Sequence, residues 1–203
     1  MKKIWHYVGV IFIMFWGLAP FYWMLITALR DSAHTFDTTP WPTHVTLQNF
    51  YDALATDKGN DFLGAIGNSL IISLSTTAIA VAVGVFTAYA IARLDFPGKG
   101  IVTGVILAAS MFPGIALVTP LFQLFGDLGW IGTYRAMIIP NISFALPLTI
   151  YTLISFFQQL PWELEQAARV DGATRGQAFR LVLLPLAAPA IFTTAILAFI
   201  TTW

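Results

Sequence analysis

The chain has 203 residues, of which 58% are hydrophobic and only 10% charged, with a mean hydropathy of +0.77. A soluble globular domain carries roughly a quarter charged residues, so the composition excludes one and points to a bilayer. Zero net charge without a long basic run excludes a nucleic-acid surface, and the absence of cysteine excludes disulfides, thiol nucleophiles and cysteine metal sites.

A crossing helix needs about 20 mostly apolar residues, because the hydrocarbon core is about 30 Å thick and a helix rises about 1.5 Å per residue. Five segments qualify, 4–29, 66–92, 101–125, 136–157 and 186–203, and each lacks Asp, Glu, Lys and Arg. The predicted fold is an all-α polytopic membrane protein with five transmembrane helices. Lys2-Lys3 heads the first run, which is longer than the about 7 to 15 residues of a signal-peptide core and so reads as an uncleaved span.

Segment 30–65 carries Asp31, Asp37, Asp52, Asp57 and Asp61 with Pro40-Trp41-Pro42. Its polar, turn-rich makeup predicts an external loop with one short helix near 47–55, serving as a connector or as a partner-contacting loop. On the second span Ala80, Gly84, Ala88 and Ala92 recur every four residues, a small-residue face that lets another helix approach closely. Gly100-x-x-x-Gly104 repeats that pattern more weakly. The third span is interrupted at Met111-Phe112-Pro113-Gly114 and Pro120, which fits a gate hinge or a static kink. The fourth carries Asn141 and Ser143 after Pro140, then Pro147, Thr149 and Tyr151; with Pro113 these four polar residues mark either a path for a hydroxyl-rich solute or interhelical hydrogen bonding. The last run reaches Trp203 without a polar tail, which predicts a C-terminally truncated chain, the alternative being a protein with an odd number of spans.

Cytoplasmic loops are enriched in lysine and arginine. With the N-terminus inside, Lys2, Lys3, Arg93, Lys99, Arg169, Arg175 and Arg180 are cytoplasmic, while Arg30, Lys58 and Arg135 are external, seven against three. This orientation places the charged island 158–185 in the cytoplasm. Within it Pro161, Glu163 and Glu165 suit a helix start, and Leu164, Ala167 and Ala168 form a narrow apolar face. Asp171-Gly172 supplies a stop, and Thr174 with Gln177 has the spacing of a capping box. The island is therefore expected to be a helix-turn-helix hairpin. It either docks a protein or lies on anionic headgroups, and the alanines favour docking.

The apolar cores hold no ionisable residue of the kind that proton-coupled carriers use, although a sodium-coupled carrier can use backbone carbonyls. No phosphate loop, H-E-x-x-H or G-x-S-x-G occurs, so no catalytic residue is assigned and the chain cannot hydrolyse ATP by itself. His6, His34 and His44 have no metal-ligand spacing.

Gln166-Ala167-Ala168, then Gly172, then Val182-x-Leu184-Pro185 resembles the cytoplasmic signature E-A-A, three residues, G, nine residues, I-x-L-P of permease subunits of binding-protein-dependent ABC importers. Leu47-Gln48-Asn49-Phe50, Asn68-Ser69-Leu70, the run from Ala90 to Lys99, Met111-Phe112-Pro113 and Asp171-Gly172-Ala173-Thr174 are similar to the sugar-importing branch, of the second-permease type for maltose and trehalose. The resemblance implies one permease domain over 1–203, five spans present of six, in the cytoplasmic membrane of a prokaryote. It implies that Glu165, Gln166, Ala167, Ala168, Asp171, Gly172, Leu184 and Pro185 belong to the element that couples to an ATPase. The implied partners are a second permease subunit, two ATPase subunits holding ATP and Mg, an external solute-binding protein, the sugar and the lipid bilayer. Gln166 departs from the family's glutamate, keeping hydrogen-bonding capacity, with Glu165 beside it. A permease for another solute and a secondary carrier are the competing readings.

Overall fold

A computed structural model describes residues 2–55 and 61–203; Asp57 and Lys58 of the predicted external loop lie outside the described residues. The chain forms two compact units, 1–66 and 67–203.

In the first unit, helix α1 (Lys2–Ala28) matches the first predicted span. Its aromatic side chains Trp5, Phe15 and Trp16 are more than two-thirds exposed, a surface suited to lipid. Where the helix ends, the last carbonyls lack intrahelical partners, and the following loop folds back to supply them. The Nδ2 of Asn49, on the short helix α2 (Gln48–Leu54), donates to Ala28 O at 3.0 Å and Arg30 O at 2.6 Å. Arg30 is fully buried and donates to the carbonyls of Asp37 and Thr39, with its guanidinium 5.4 Å from the Trp23 ring centre. Arg30, counted from the sequence as an external charge, is thus a clamp inside the loop. The loop also stacks His34 and His44 at 4.2 Å, which their sequence separation hid. Asp31 caps a 3-10 turn, and its hydrogen bond with His34 holds its carboxyl below the ordinary value of 3.8. The stabilisation of that cap is present above this value and is lost as pH falls through the lowered one.

In the second unit, α3 (Phe62–Arg93, whose first residues belong to the first unit) and α6 (Tyr134–Gln159) are long apolar helices, as predicted. The small-residue stripe lies in the core, with Ala80 and Ala88 fully buried and Gly84 against α6. By contrast, a side chain added at Gly100 or Gly104 would meet no atom within 4 Å. The predicted third span is not one continuous helix. It is α4 (Lys99–Ser110) and α5 (Val118–Asp127), joined through a 3-10 turn at Gly114–Leu117 and bent by 84°. Pro113 stands at that bend, where a preceding residue cannot stay helical. Pro120 falls in the first turn of α5, where its missing N–H costs nothing. Among the described residues, four helices are long and apolar enough to cross a membrane, or five if the bent pair is one span.

The hairpin's second arm also differs from expectation. Helix α8 (Arg175–Ala178) passes through a π turn, Phe179–Leu183, straight into α9 (Leu184–Thr202), so 175–202 is one 28-residue helix. Pro185 supplies the physical reason. It has no N–H for the Leu181 carbonyl, and the ladder widens there, Leu184 N–H donating five residues back to Phe179 O.

A Cβ at Gly84 would lie 2.6 Å from Thr149 Cγ2, whose hydroxyl is tied to Ala145 O at 2.8 Å. Gly84→Ala is therefore expected to destabilise by about 1–3 kcal/mol, read as a drop in thermal unfolding temperature in detergent. Thr149→Ser, which removes that methyl and keeps the hydroxyl, should restore most of the loss; a Gly84→Ala variant as stable as the parent would contradict the close packing.

Candidate functional site

Helix α7 (Trp162–Val170) opens at Pro161 with Glu163 and Glu165 in its first turn, where the helix dipole favours carboxylates. It closes on a Schellman motif. Ala173 N–H donates to Ala168 O at 3.0 Å and Gly172 N–H to Arg169 O at 3.1 Å, with Gly172 at φ +93°. Thr174 and Gln177 then form the predicted capping box, Thr174 N–H donating to Gln177 Oε1 at 2.8 Å and Gln177 N–H to Thr174 Oγ1 at 3.3 Å. Two helix ends are closed within a few residues, and the turn between them is specified by hydrogen bonds.

The residues of the signature divide by face. Gln166, Ala167, Asp171 and Gly172 are exposed and Ala168 is half-buried, so the small apolar patch is open to a partner. Leu184 and Pro185 lie at the far end of the π turn, partly buried and exposed respectively. Glu165 does not join the exposed set. It is 5% exposed, and its Oε1 accepts from the Tyr89 hydroxyl of α3 at 3.2 Å. In this arrangement it cannot stand in for the missing glutamate at 166.

Two residues outside the signature hold this region, and the sequence reading missed both. Arg93, counted there as a loop charge, is 5% exposed and its Nη2 donates to Phe157 O at 2.8 Å and Leu160 O at 2.6 Å, closing the end of α6. Its guanidinium also lies 4.6 Å from the Trp162 ring centre. Tyr89 packs its ring 4.4 Å from Phe179 in the π turn. The available signal was weak: an arginine and a tyrosine four residues apart at the end of an apolar helix.

The predicted polar path is only partly assembled. Asn141 and Thr149 join Thr152, Thr194, Thr201 and Thr202 around a cavity of about 80 Å³ between α6 and α9. That is room for water but well below the about 300–1,000 Å³ of a small-molecule site. Asn141 also borders a cleft of about 1000 Å³ between α6 and the bent pair, beside Tyr134, which donates to Asn68 Oδ1 at 2.6 Å. Tyr151 faces a different groove with Ser155, Gln159 and Thr193. Ser143 is exposed and donates to Ile139 O of its own helix at 3.3 Å. Pro113 is exposed at the bend. The threonines of the last helix were not foreseen, although the pairs Thr193-Thr194 and Thr201-Thr202 recur eight residues apart, about two turns, on one helix.

Residues 80–203 match the family described as the binding-protein-dependent transport system inner membrane component. The chain is 47% identical to a trehalose transport system permease protein of Mycobacterium tuberculosis, over 93% of this chain and 68% of the relative. It is 36% identical to a trehalose/maltose transport system permease protein of Thermococcus litoralis, over 98% of this chain and 72% of the relative. A solved chain of a bacterial ABC transporter involved in the import of the acidic polysaccharide alginate has 21% identity and a TM-score of 0.76, covering 100% of this chain and 71% of that one, a likeness of fold. The chain belongs to the family of binding-protein-dependent inner membrane transport components, as its exposed hairpin and apolar helices lead one to expect.

Gly172 has open space around its Cα, so a side chain there meets backbone strain and no clash. Gly172→Ala is expected to cost about 1–2 kcal/mol locally, seen as faster amide exchange at the hairpin turn with little change in the spans. Unchanged exchange at Ala173 would show that the left-handed turn is not needed.

Proposed function

We propose that this chain is the transmembrane permease subunit of an ATP-driven importer that carries a sugar, an oligo- or disaccharide, across the cytoplasmic membrane. The observation that carries the reading is the hairpin: an exposed Gln166-Ala167 patch on α7, a turn locked by hydrogen bonds, and a second arm continuous with the last membrane helix. Force applied to α7 by a partner passes through a stiff turn into a span. Sugar as the substrate class is supported by the names of relatives that carry trehalose, maltose and diacetylchitobiose.

In this reading Gln166, Ala167, Ala168, Asp171 and Gly172 seat against a cleft of an ATPase subunit, with Leu184 and Pro185 at the junction that passes the movement on. ATP and Mg stay in two ATPase subunits, a second permease subunit completes the pore, and an external binding protein delivers the solute. Asn141, bordering the larger cleft, is the polar residue best placed to meet it, with Thr149 behind it in the small cavity. The N-terminus is cytoplasmic. That orientation rests on the seven-to-three excess of lysine and arginine, and it survives when the internally bonded Arg93 and Arg30 are both set aside, leaving six against two.

Reconstituted in vesicles with its ATPase, its second permease and its binding protein, the chain is expected to support sugar uptake that requires ATP. Gly172→Asp, adding bulk and charge at the left-handed turn, should abolish uptake while leaving solute affinity of the binding protein unchanged. Uptake driven by an ion gradient without any ATPase would overturn the proposal.

A further inference from the structure

Tyr89 and Arg93 are four residues apart on α3 and so share a face; Trp162 and Glu165 are three apart on α7 and share a face too. The two faces meet at two points. Arg93 lies over the Trp162 ring at 4.6 Å, and the Tyr89 hydroxyl donates to Glu165 Oε1 at 3.2 Å. Glu165 and Arg93 are both 5% exposed. A carboxylate taken out of water is costly unless it is hydrogen-bonded, so a glutamate in this position is far from a generic surface acid. Its other oxygen, Oε2, has no hydrogen-bond partner among the described residues, which leaves the Tyr89 hydroxyl as its one observed bond.

The same tyrosine connects the remaining elements. Its ring lies 4.4 Å from Phe179 in the π turn and 6.1 Å from Phe157 near the end of α6. The end of α6 is itself held by Arg93 through Phe157 O and Leu160 O. A displacement of α7 must therefore either carry the foot of α3 with it or break the Tyr89–Glu165 bond.

We propose that Tyr89 and Glu165, flanked by Arg93 and Trp162, form a two-point clasp that fixes the coupling helix to the foot of α3, making Glu165 a positioning residue that turns inward to the span and does not contact the ATPase. The proposal rests on the permease reading, since what the clasp passes to α3 is movement imposed on α7 by an ATPase.

The chain has no cysteine, so a single spin label at Val170→Cys, a position 86% exposed on α7, reports the mobility of that helix in the membrane. Tyr89→Phe keeps the ring and removes the hydroxyl. In that variant the label is expected to become more mobile. In the assembled transporter, sugar imported per ATP hydrolysed should fall at least about tenfold, the lower end of the equilibrium weight of one hydrogen bond to a charged group, while hydrolysis continues. Glu165→Gln, which keeps an acceptor oxygen, should retain an intermediate ratio, and the double variant should be no worse than Tyr89→Phe alone. Unchanged label mobility in Tyr89→Phe overturns the clasp, and greater mobility with an unchanged import ratio overturns its role in coupling. Loss of the ATPase from the Glu165→Gln complex, with label mobility unchanged, would make Glu165 a partner contact and overturn the proposal as well. If the parent assembly imports nothing with ATP, the permease reading fails on its own, and the spin label still decides whether the clasp exists.

Discussion

In hydrocarbon no water is available to a backbone N–H or C=O, so every helix end and every interruption near the membrane must be closed by the protein itself. The chain meets this constraint with a few polar side chains placed where helices stop. Asn49 and Arg30 take up the carbonyls that follow α1. Arg93 takes up those at the end of α6, and the Schellman turn at Gly172 closes α7. Most of these groups cap helices and at the same time hold loops, which is why a chain with so few charges spends two arginines in nearly buried positions.

Within the spans the same constraint is met locally. Thr27, Thr87, Thr149, Thr152 and Thr193 each donate to the carbonyl four residues back on their own helix, at 2.8 to 2.9 Å. Such back-bonding satisfies a hydroxyl without a neighbour, so a threonine in these helices is not by itself a sign of a polar channel. Close packing, meanwhile, is left to small residues. Gly84 admits Thr149 of α6 to a distance that a methyl group would forbid. Around the foot of α3 the packing becomes aromatic, with Tyr89, Phe157 and Phe179 in mutual contact, and there α7 is attached.

Proline sets the course of the chain in two different ways. Pro113 coincides with a true break, because α4 has ended at Ser110, Pro113 itself is extended and the backbone turns by 84° across the 3-10 turn that follows. Pro185 interrupts a hydrogen-bond ladder that continues, and the widened π turn absorbs the missing donor without ending the helix. Pro140 and Pro147 are likewise carried inside an unbroken α6. A proline in an apolar run thus identifies a carbonyl without its usual partner, and the surroundings determine whether the helix bends, widens or goes on.

What the sequence by itself determined was whatever depends on local chemistry: apolar runs long enough to cross a bilayer, the small-residue face of α3, the short helix near Gln48, and the hairpin turn, whose glycine and capping residues act over three or four positions. The spacing of the signature was also enough to resemble the family to which the chain belongs. Tertiary structure alone decided which way the side chains of that signature face. Glu165 stands beside Gln166 in the chain, yet it turns inward because Tyr89, 76 residues earlier, offers it a hydroxyl. Arg93 reads as a loop charge until the end of α6 arrives beside it. Both depend on partners distant in sequence, and no local spacing carries that information.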